Sequence, residues 1–457
     1  MIRKYFLETK IFHFTDDDDE IDLNKNLFTI IVGKNGTGKS RLLSSIVKEF
    51  LKLSNKANFY SDSEMEFETS KTGKIEYQYE PKKIITASTS PFDRFPLIRY
   101  REEVEGYSYL GLRELTSYNF GLAYMSKIMA SLIESIQSNN KQMEEITNVL
   151  NYLGYTDRIE ISFHFRHHSK IFDELLDAEN PTDDFEKIVF GSRQNIINFN
   201  RRFFTTKDPS LNRERIGHLI EILKHKEFSQ RSRSFKIEIN KNGIHSDDLF
   251  EGFVEELGFL MKSGIIRLRD VSLQRMKPKS RYSISEASSG EQSVVMSILG
   301  IASQIQNNSL ICIDEPEICL HPEWQEKYIR ILISTFKNYK GCHFLIATHS
   351  PQIISKLDSS NCYVLTMETG NVTNAKYLIN HSADFQLANI FNSPGYKNEY
   401  LTRVALNIFA KVSKRKTFDS DDLENYNLLE NLSSSLDRND PVFGLFTAIK
   451  EMHQTYA

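Results

Sequence analysis

Phe28-Thr29-Ile30-Ile31-Val32-Gly33-Lys34-Asn35-Gly36-Thr37-Gly38-Lys39-Ser40 is the stretch that decides how this chain is read. The apolar run at its start has the character of a buried strand, and the residues that follow it, Leu42-Leu43-Ser44-Ser45-Ile46-Val47, suit a helix. Strand, glycine-rich turn and helix stand in the order a phosphate-binding loop requires. Glycine lets the backbone curl tightly and aim several N–H groups at phosphate oxygens. A helix that begins near Lys39 adds the positive end of its dipole. On this reading Gly33, Lys34, Asn35, Gly36, Thr37, Gly38, Lys39 and Ser40 hold the phosphates. Lys39 reaches the outer ones and Ser40 ligates Mg²⁺.

The 457 residues suffice for two or three structural units with sizeable cores. With 40% hydrophobic and 26% charged residues, the composition is that of a globular protein. A formal net charge of -4 gives no global attraction to nucleic acid, so any such attraction is local. No apolar run approaches the roughly 18 residues needed to span a bilayer, and the first residues do not resemble a signal peptide. Of the four cysteines, Cys312, Cys319, Cys342 and Cys362, none forms a C-x-x-C pair. Cys312 and Cys342 lie in strand-like apolar runs, where cysteine acts as a small core residue. That usage suits a reducing cytoplasm.

The sequence divides into four parts. Residues 1–95 read mainly as strands around the loop and its helix. Residues 96–255 read as a largely helical insertion, with helical spacing at Leu122, Met125, Met129, Leu132, Ile133 and Ile136 and again at Ile216, Leu219, Ile220 and Leu223. Residues 256–375 return to alternating strands and helices. Residues 376–457 read as helical, with Leu401, Val404, Ala405, Ile408 and Phe409 forming the clearest stripe. Within the insertion, residues 191–240 carry eleven lysines and arginines against five acids. Such an excess fits DNA, an acidic partner or a solvated helical face. A second basic run, from Arg267 to Arg281, reads as a charged surface hairpin or as a nucleic-acid contact.

Three further motifs lie in the third part. Ser309-Leu310-Ile311-Cys312-Ile313-Asp314-Glu315 is an apolar strand ending in two carboxylates. Asp314 would support Mg²⁺ beside Ser40, and Glu315 would activate the water that attacks the γ-phosphate. His349, in Ala347-Thr348-His349-Ser350-Pro351, ends the next apolar run and is placed to donate to a γ-phosphate. Ser288-Ser289-Gly290-Glu291-Gln292 precedes an apolar helix. Its simplest role is a helix N-cap. As a second anion-binding surface it makes sense if two subunits meet head to tail, each supplying half of each ATP site.

Taken together these residues resemble the ATP-binding-cassette ATPases over roughly residues 1–95 and 256–375. The resemblance implies an α/β fold: an ABC-ATPase head with a mixed sheet around the phosphate loop. Gly33–Ser40 is similar to the family's Walker A, Asp314-Glu315 to its Walker B with catalytic glutamate, Ser288–Gln292 to its signature and His349 to its switch histidine. It implies ATP and Mg²⁺ as cofactors and nucleotide sandwiched between two heads of a homo-oligomer. The family's Q-loop glutamine has no counterpart in Ser88-Thr89-Ser90. Tyr5, Phe12 and Phe14 are candidates for the adenine-stacking aromatic, with core packing the simpler role for each.

The signature stands farther from Walker A than in transporter cassettes, and the insertion is closer to the DNA-associated branch of SMC-like, RecF and OLD ATPases. Glu315-Pro316-Glu317-Ile318-Cys319-Leu320-His321-Pro322-Glu323-Trp324-Gln325 resembles the E-P-E-x-x-L-H-P-x-x-Q run of that branch, and Thr348-His349-Ser350-Pro351-Gln352 resembles it too. The C-terminal nuclease of OLD enzymes finds no convincing residue set here. Asp419-Ser420-Asp421 has the right spacing but lies in a polar loop, and His164, His167 and His168 lack companion ligands. Ser88–Phe95 and Tyr109-Leu110-Gly111-Leu112-Arg113 are similar to the ATPase subunit of the Septu anti-phage system. That resemblance implies a cytoplasmic, oligomeric ATPase that docks and regulates a separate HNH endonuclease. A PARIS-like scaffold holding a Toprim-type toxin and a RecF-like DNA clamp are the alternatives.

Overall fold

Burial of the run Leu27–Val32 organises the first part of the structure. In a computed structural model all six residues of this strand are buried. The structure describes residues 1–16, 19, 21–53, 73–97, 106–113, 120–138, 140–165, 175–190, 200–205, 211–225, 234–246, 251–318, 320–355, 357, 361–378 and 381–456. Much of the basic excess, including Arg193, Lys207, Lys226, Arg231 and Arg233, lies outside the described residues, as do His167, His168 and Cys319. The chain forms two compact units. One comprises 1–80, 313–330 and 340–457, the other 81–312 and 331–339.

In the first unit, strand Leu27–Val32 runs parallel to both His343–Ala347 and Cys362–Thr366, and Val372–Asn374 pairs antiparallel with the last of these. Strands buried on both faces need continuous apolar sequence, and Phe28-Thr29-Ile30-Ile31-Val32 and Phe344-Leu345-Ile346-Ala347 supply it. Phe28 and Phe344 stack across two of these strands at 4.6 Å. The helix Lys39–Leu53 follows the loop and buries Leu42, Leu43, Ile46, Val47, Phe50 and Leu51. A separate antiparallel sheet joins Ile2–Leu7 to Lys10–His13 and Lys74–Tyr77.

The C-terminal part of this unit is helical, as expected. Helices Glu399–Arg415, Ser420–Leu432 and Pro441–Tyr456 share a core of Leu401, Ala405, Ile408, Val412, Leu429, Phe446 and Ile449. Asp419 caps the second of these helices. Its carboxylate accepts the Asp422 N–H at 2.9 Å in a reciprocal capping box. The D-x-D spacing therefore serves a helix start.

In the second unit, strand Lys83–Ser88 pairs parallel with Tyr107–Gly111. Helices Phe120–Ser138 and Arg213–Lys224 form where the periodicity places them. Met125, Met129, Leu132, Ile133 and Ile136 are buried on the first, and Ile216, Leu219, Ile220 and Leu223 on the second. Helical residues outnumber strand residues among those described in 96–255, but the segment also supplies long-range strands. Tyr155–Phe165 and Ser234–Asn240 join an antiparallel sheet with Ile266–Arg275, Ser280–Ser283 and Gly243–His245. The basic run from Arg267 to Arg281 is indeed a hairpin of that sheet. His164 sits on strand Tyr155–Phe165 opposite Arg267 and Ser234.

Candidate nucleotide site

The first unit brings the phosphate loop, the two strand-end carboxylates and His349 together. Gly36 and Gly38 adopt φ of 81° and 95°, a region in which a side chain would be strained. Gly33 is required for a different reason. A Cβ there would stand 2.8 Å from both Met367 Cβ and Thr37 Oγ1. The first turn of the loop is tied down from two sides. Thr37 Oγ1 donates to Lys34 O at 2.8 Å, and the Lys34 N–H donates to Glu368 Oε1 at 2.8 Å.

Lys39, the first residue of the helix, is buried and folds back over its own loop. Its ammonium donates to Gly33 O at 2.9 Å and to Lys34 O at 3.3 Å, and it stands 3.1 Å from His349 Nδ1. Burial lowers its pKa, while Glu315, Glu317, Glu368 and Asp314 act in the opposite direction. These bonds leave Lys39 tethered at the loop with carbonyl partners that a phosphate can replace.

Ser40 Oγ donates to Asp314 Oδ1 at 3.0 Å. Asp314 is the last residue of strand Ser309–Asp314 and is almost fully buried. The next residue, Glu315, leaves the strand with φ of 50°, a left-handed conformation that costs a non-glycine residue roughly 1–3 kcal/mol. Its N–H donates to Ala347 O at 2.9 Å, which fixes the turn. The turn directs the Glu315 carboxylate to His349, with Oε1 3.3 Å from Nε2. His349 thus bridges Lys39 and Glu315. Burial, then the Lys39 charge, lower its pKa below the ordinary histidine value. With Nδ1 facing an ammonium, the neutral ring accepts there and carries its proton on Nε2, toward the carboxylate.

Tyr5, Phe12 and Phe14 are buried, and Tyr5 Oη lies 2.5 Å from Ser45 Oγ. In this structure each has the core-packing role. The second unit holds Ser288–Gln292. Ser288 is the N-cap of helix Ser289–Gln304, its hydroxyl accepting the Glu291 N–H at 3.2 Å, so the simpler role expected for it is realised. Ser289 follows as an exposed first helical residue. Glu291 is held by Tyr155 Oη at 2.6 Å, Tyr282 Oη at 2.9 Å and Arg275 at 3.3 Å. Gln292 Nε2 donates to Ala287 O at 3.1 Å.

The sequence reading assigned no role to Glu317, Gln325 or Glu368. Glu317 and Gln325 stand within the run Glu315–Gln325. Glu368 carries no local signal, because its contact with Lys34 spans 334 positions.

The profile of the family described as "AAA domain, putative AbiEii toxin, Type IV TA system" matches residues 28–355. The chain belongs to that family. It is an ATPase of the AAA-domain class, and residues 28–355 include Gly33–Ser40, Ser288–Gln292, Asp314-Glu315 and His349. Two curated relatives of this AAA-domain chain are a "Retron Ec83 probable ATPase" of Escherichia coli and a "Retron Vc95 probable ATPase" of Vibrio cholerae serotype O1 biovar El Tor. The first is 24% identical over 398 residues, covering 76% of this chain and 68% of the relative. The second is 25% identical over 377 residues, covering 74% and 68%. Among solved structures, Stu0660 of Streptococcus thermophilus matches with TM-score 0.32 and 11% identity over 99% of this chain and 94% of the other. An Smc head domain from Pyrococcus furiosus matches with TM-score 0.30 and 13% identity over 82% and 97%. Among the described residues no helix is long and apolar enough to cross a membrane.

Proposed function

We propose that this chain is the ATP-hydrolysing subunit of a cytoplasmic bacterial anti-phage complex, in which nucleotide controls a separate HNH endonuclease. The observation that carries the reading is the chain Lys39–His349–Glu315 beside the Ser40–Asp314 pair. It supplies phosphate binding, a proton acceptor and a proton donor in one place. The names of the retron relatives favour a defence setting. The HNH partner rests on the likeness of Ser88–Phe95 and Tyr109–Arg113 to the Septu ATPase subunit.

Ser40 and Asp314 are hard oxygen donors already within hydrogen-bonding reach, which fits Mg²⁺. Bound there, the ion would neutralise charge on the phosphates. Lys39 would exchange its carbonyl partners for phosphate oxygens. Glu315 would accept the proton of the attacking water. His349 Nε2–H would hold the Glu315 carboxylate in place or turn to a phosphate oxygen. Ser289, with Ser288, Gly290, Glu291 and Gln292 behind it, would close the nucleotide of a second subunit. Residues 1–95 and 256–375 make the head on this reading, and residues 376–457 dock the partner.

The test is co-purification with the neighbouring gene product, with and without ATP, using Glu315→Gln to retain nucleotide. Nucleotide-dependent retention of an HNH protein supports the proposal. Recovery of a Toprim-type protein, or salt-sensitive DNA binding with no protein partner, overturns the HNH assignment.

A further inference from the structure

The segments Glu317–Gln325 and Thr348–Ser350 are joined by side-chain hydrogen bonds at two points. Glu317 Oε1 accepts the His349 N–H. Eight residues on, Gln325 Oε1 accepts from Ser350 Oγ at 2.7 Å. Gln325 is itself fixed, its Nε2 donating to Leu320 O at 2.9 Å. Thr348 is fully buried and its N–H donates to Ile31 O at 3.0 Å, which anchors the turn to the strand entering the phosphate loop.

We propose that Glu317 and Gln325 are positioning residues for hydrolysis. They clamp the Thr348-His349-Ser350 turn from both sides and so set the His349 ring between Lys39 and Glu315. The inference rests on the catalytic reading of His349 given above. The ring makes its two contacts at 3.1 and 3.3 Å, so a small shift of its backbone breaks one of them. A link to His349 itself or to its neighbour is the shortest lever available. Glu317 bonds directly to the His349 N–H, and Gln325 holds the next side chain. Glu317 Oε2 is removed from solvent and finds no hydrogen-bond partner among the described residues. A carboxyl group so placed costs desolvation, and the structure retains it where it grips the histidine backbone.

The test is a double-mutant cycle on ATP turnover with kcat, KM, nucleotide Kd and Tm read for each protein. Glu317→Ala should lower kcat about 10- to 100-fold. KM and Kd should stay within about twofold. Glu317→Gln keeps an acceptor for the His349 N–H and should recover most of the rate. In a His349→Ala background, Glu317→Ala should cost less than about twofold more, because the group it positions is gone. Gln325→Ala should behave like Glu317→Ala with a smaller loss. Equal losses from Glu317→Ala in both backgrounds would overturn the positioning role while leaving His349 catalytic. Full activity of His349→Ala alone is a different pattern. It would remove the catalytic reading of the histidine and this inference with it.

Discussion

Ser40 Oγ donates to Asp314 Oδ1 at 3.0 Å across 274 positions of sequence. One residue lies in the first turn of the helix after the loop, and the other closes a buried strand. The pair joins two motifs that are separately unremarkable polar strand and helix ends. Asp314→Asn keeps an acceptor of similar size but removes the charge a divalent ion needs. It should raise the Mg²⁺ concentration for half-maximal ATPase activity at least about tenfold and leave Tm nearly unchanged, as checked by a Mg²⁺ titration.

Lys39 and Glu315 should separate binding from chemistry. Lys39→Ala removes the loop's buried ammonium and should weaken ATP binding by about 2 kcal/mol or more, measured by calorimetry. Glu315→Gln should bind ATP normally and lower turnover by about 100-fold or more. Unchanged turnover in this variant would remove Glu315 as the base.

Ser289, exposed at the first turn of its helix, is the position at which to block a second subunit. Ser289→Arg should leave the unfolding free energy within about 0.5 kcal/mol of wild type while abolishing ATP-dependent self-association in sedimentation runs with the Glu315→Gln protein. Ser288→Arg would also lose the N-cap and destabilise by about 1 kcal/mol. Intact association in both variants excludes the head-to-tail sandwich.

His343 should make the fold sensitive to acid. Its Nδ1 accepts the Ile2 N–H at 3.2 Å, so Nε2 carries the proton and faces Thr29 Oγ1 at 3.0 Å, and Thr29 in turn donates to Phe14 O. The neutral ring is fully enclosed, and burial drives its pKa well below the usual 6.5. A folded-state pKa below the unfolded one means the unfolded chain binds the proton first. The stabilisation is therefore complete above about pH 6.5 and declines as pH falls below it. Urea unfolding at a series of pH values should show this loss, and His343→Gln should reduce its slope below pH 6.5.

Asp93 and Arg113 form an ion pair at 2.9 Å, with the Asp93 side chain fully enclosed and Arg113 half-buried. Tyr109 Oη donates to Asp93 at 2.6 Å and the Phe95 N–H at 3.1 Å. Asp93→Ala strips Arg113 of its counter-charge and should destabilise the protein by about 3 kcal/mol in urea unfolding. The two runs that suggested a Septu-like subunit, Ser88–Phe95 and Tyr109–Arg113, are thus a single hydrogen-bonded structure.

By itself the sequence determined the features written in local order. Glycine spacing after an apolar strand specifies the tight turn at 33–40, because φ above zero at Gly36 and Gly38 depends on local sequence. Helical periodicity specified the helices at 120–138, 213–224 and 399–415 in the same way, through burial of one face. The strands at 155–165 and 234–240 within the insertion had no such signature strong enough to stand out, since their stability comes from partners as far away as 266–275. Only the tertiary structure decided that Glu368 braces Lys34, that Glu317 and Gln325 grip the His349 turn, and that Glu291 is engaged by two tyrosines and an arginine. These are hydrogen bonds between groups on different elements, from 9 to 334 positions apart in sequence. Their geometry exists only once strands and helices have packed, so no local pattern of residues encodes them.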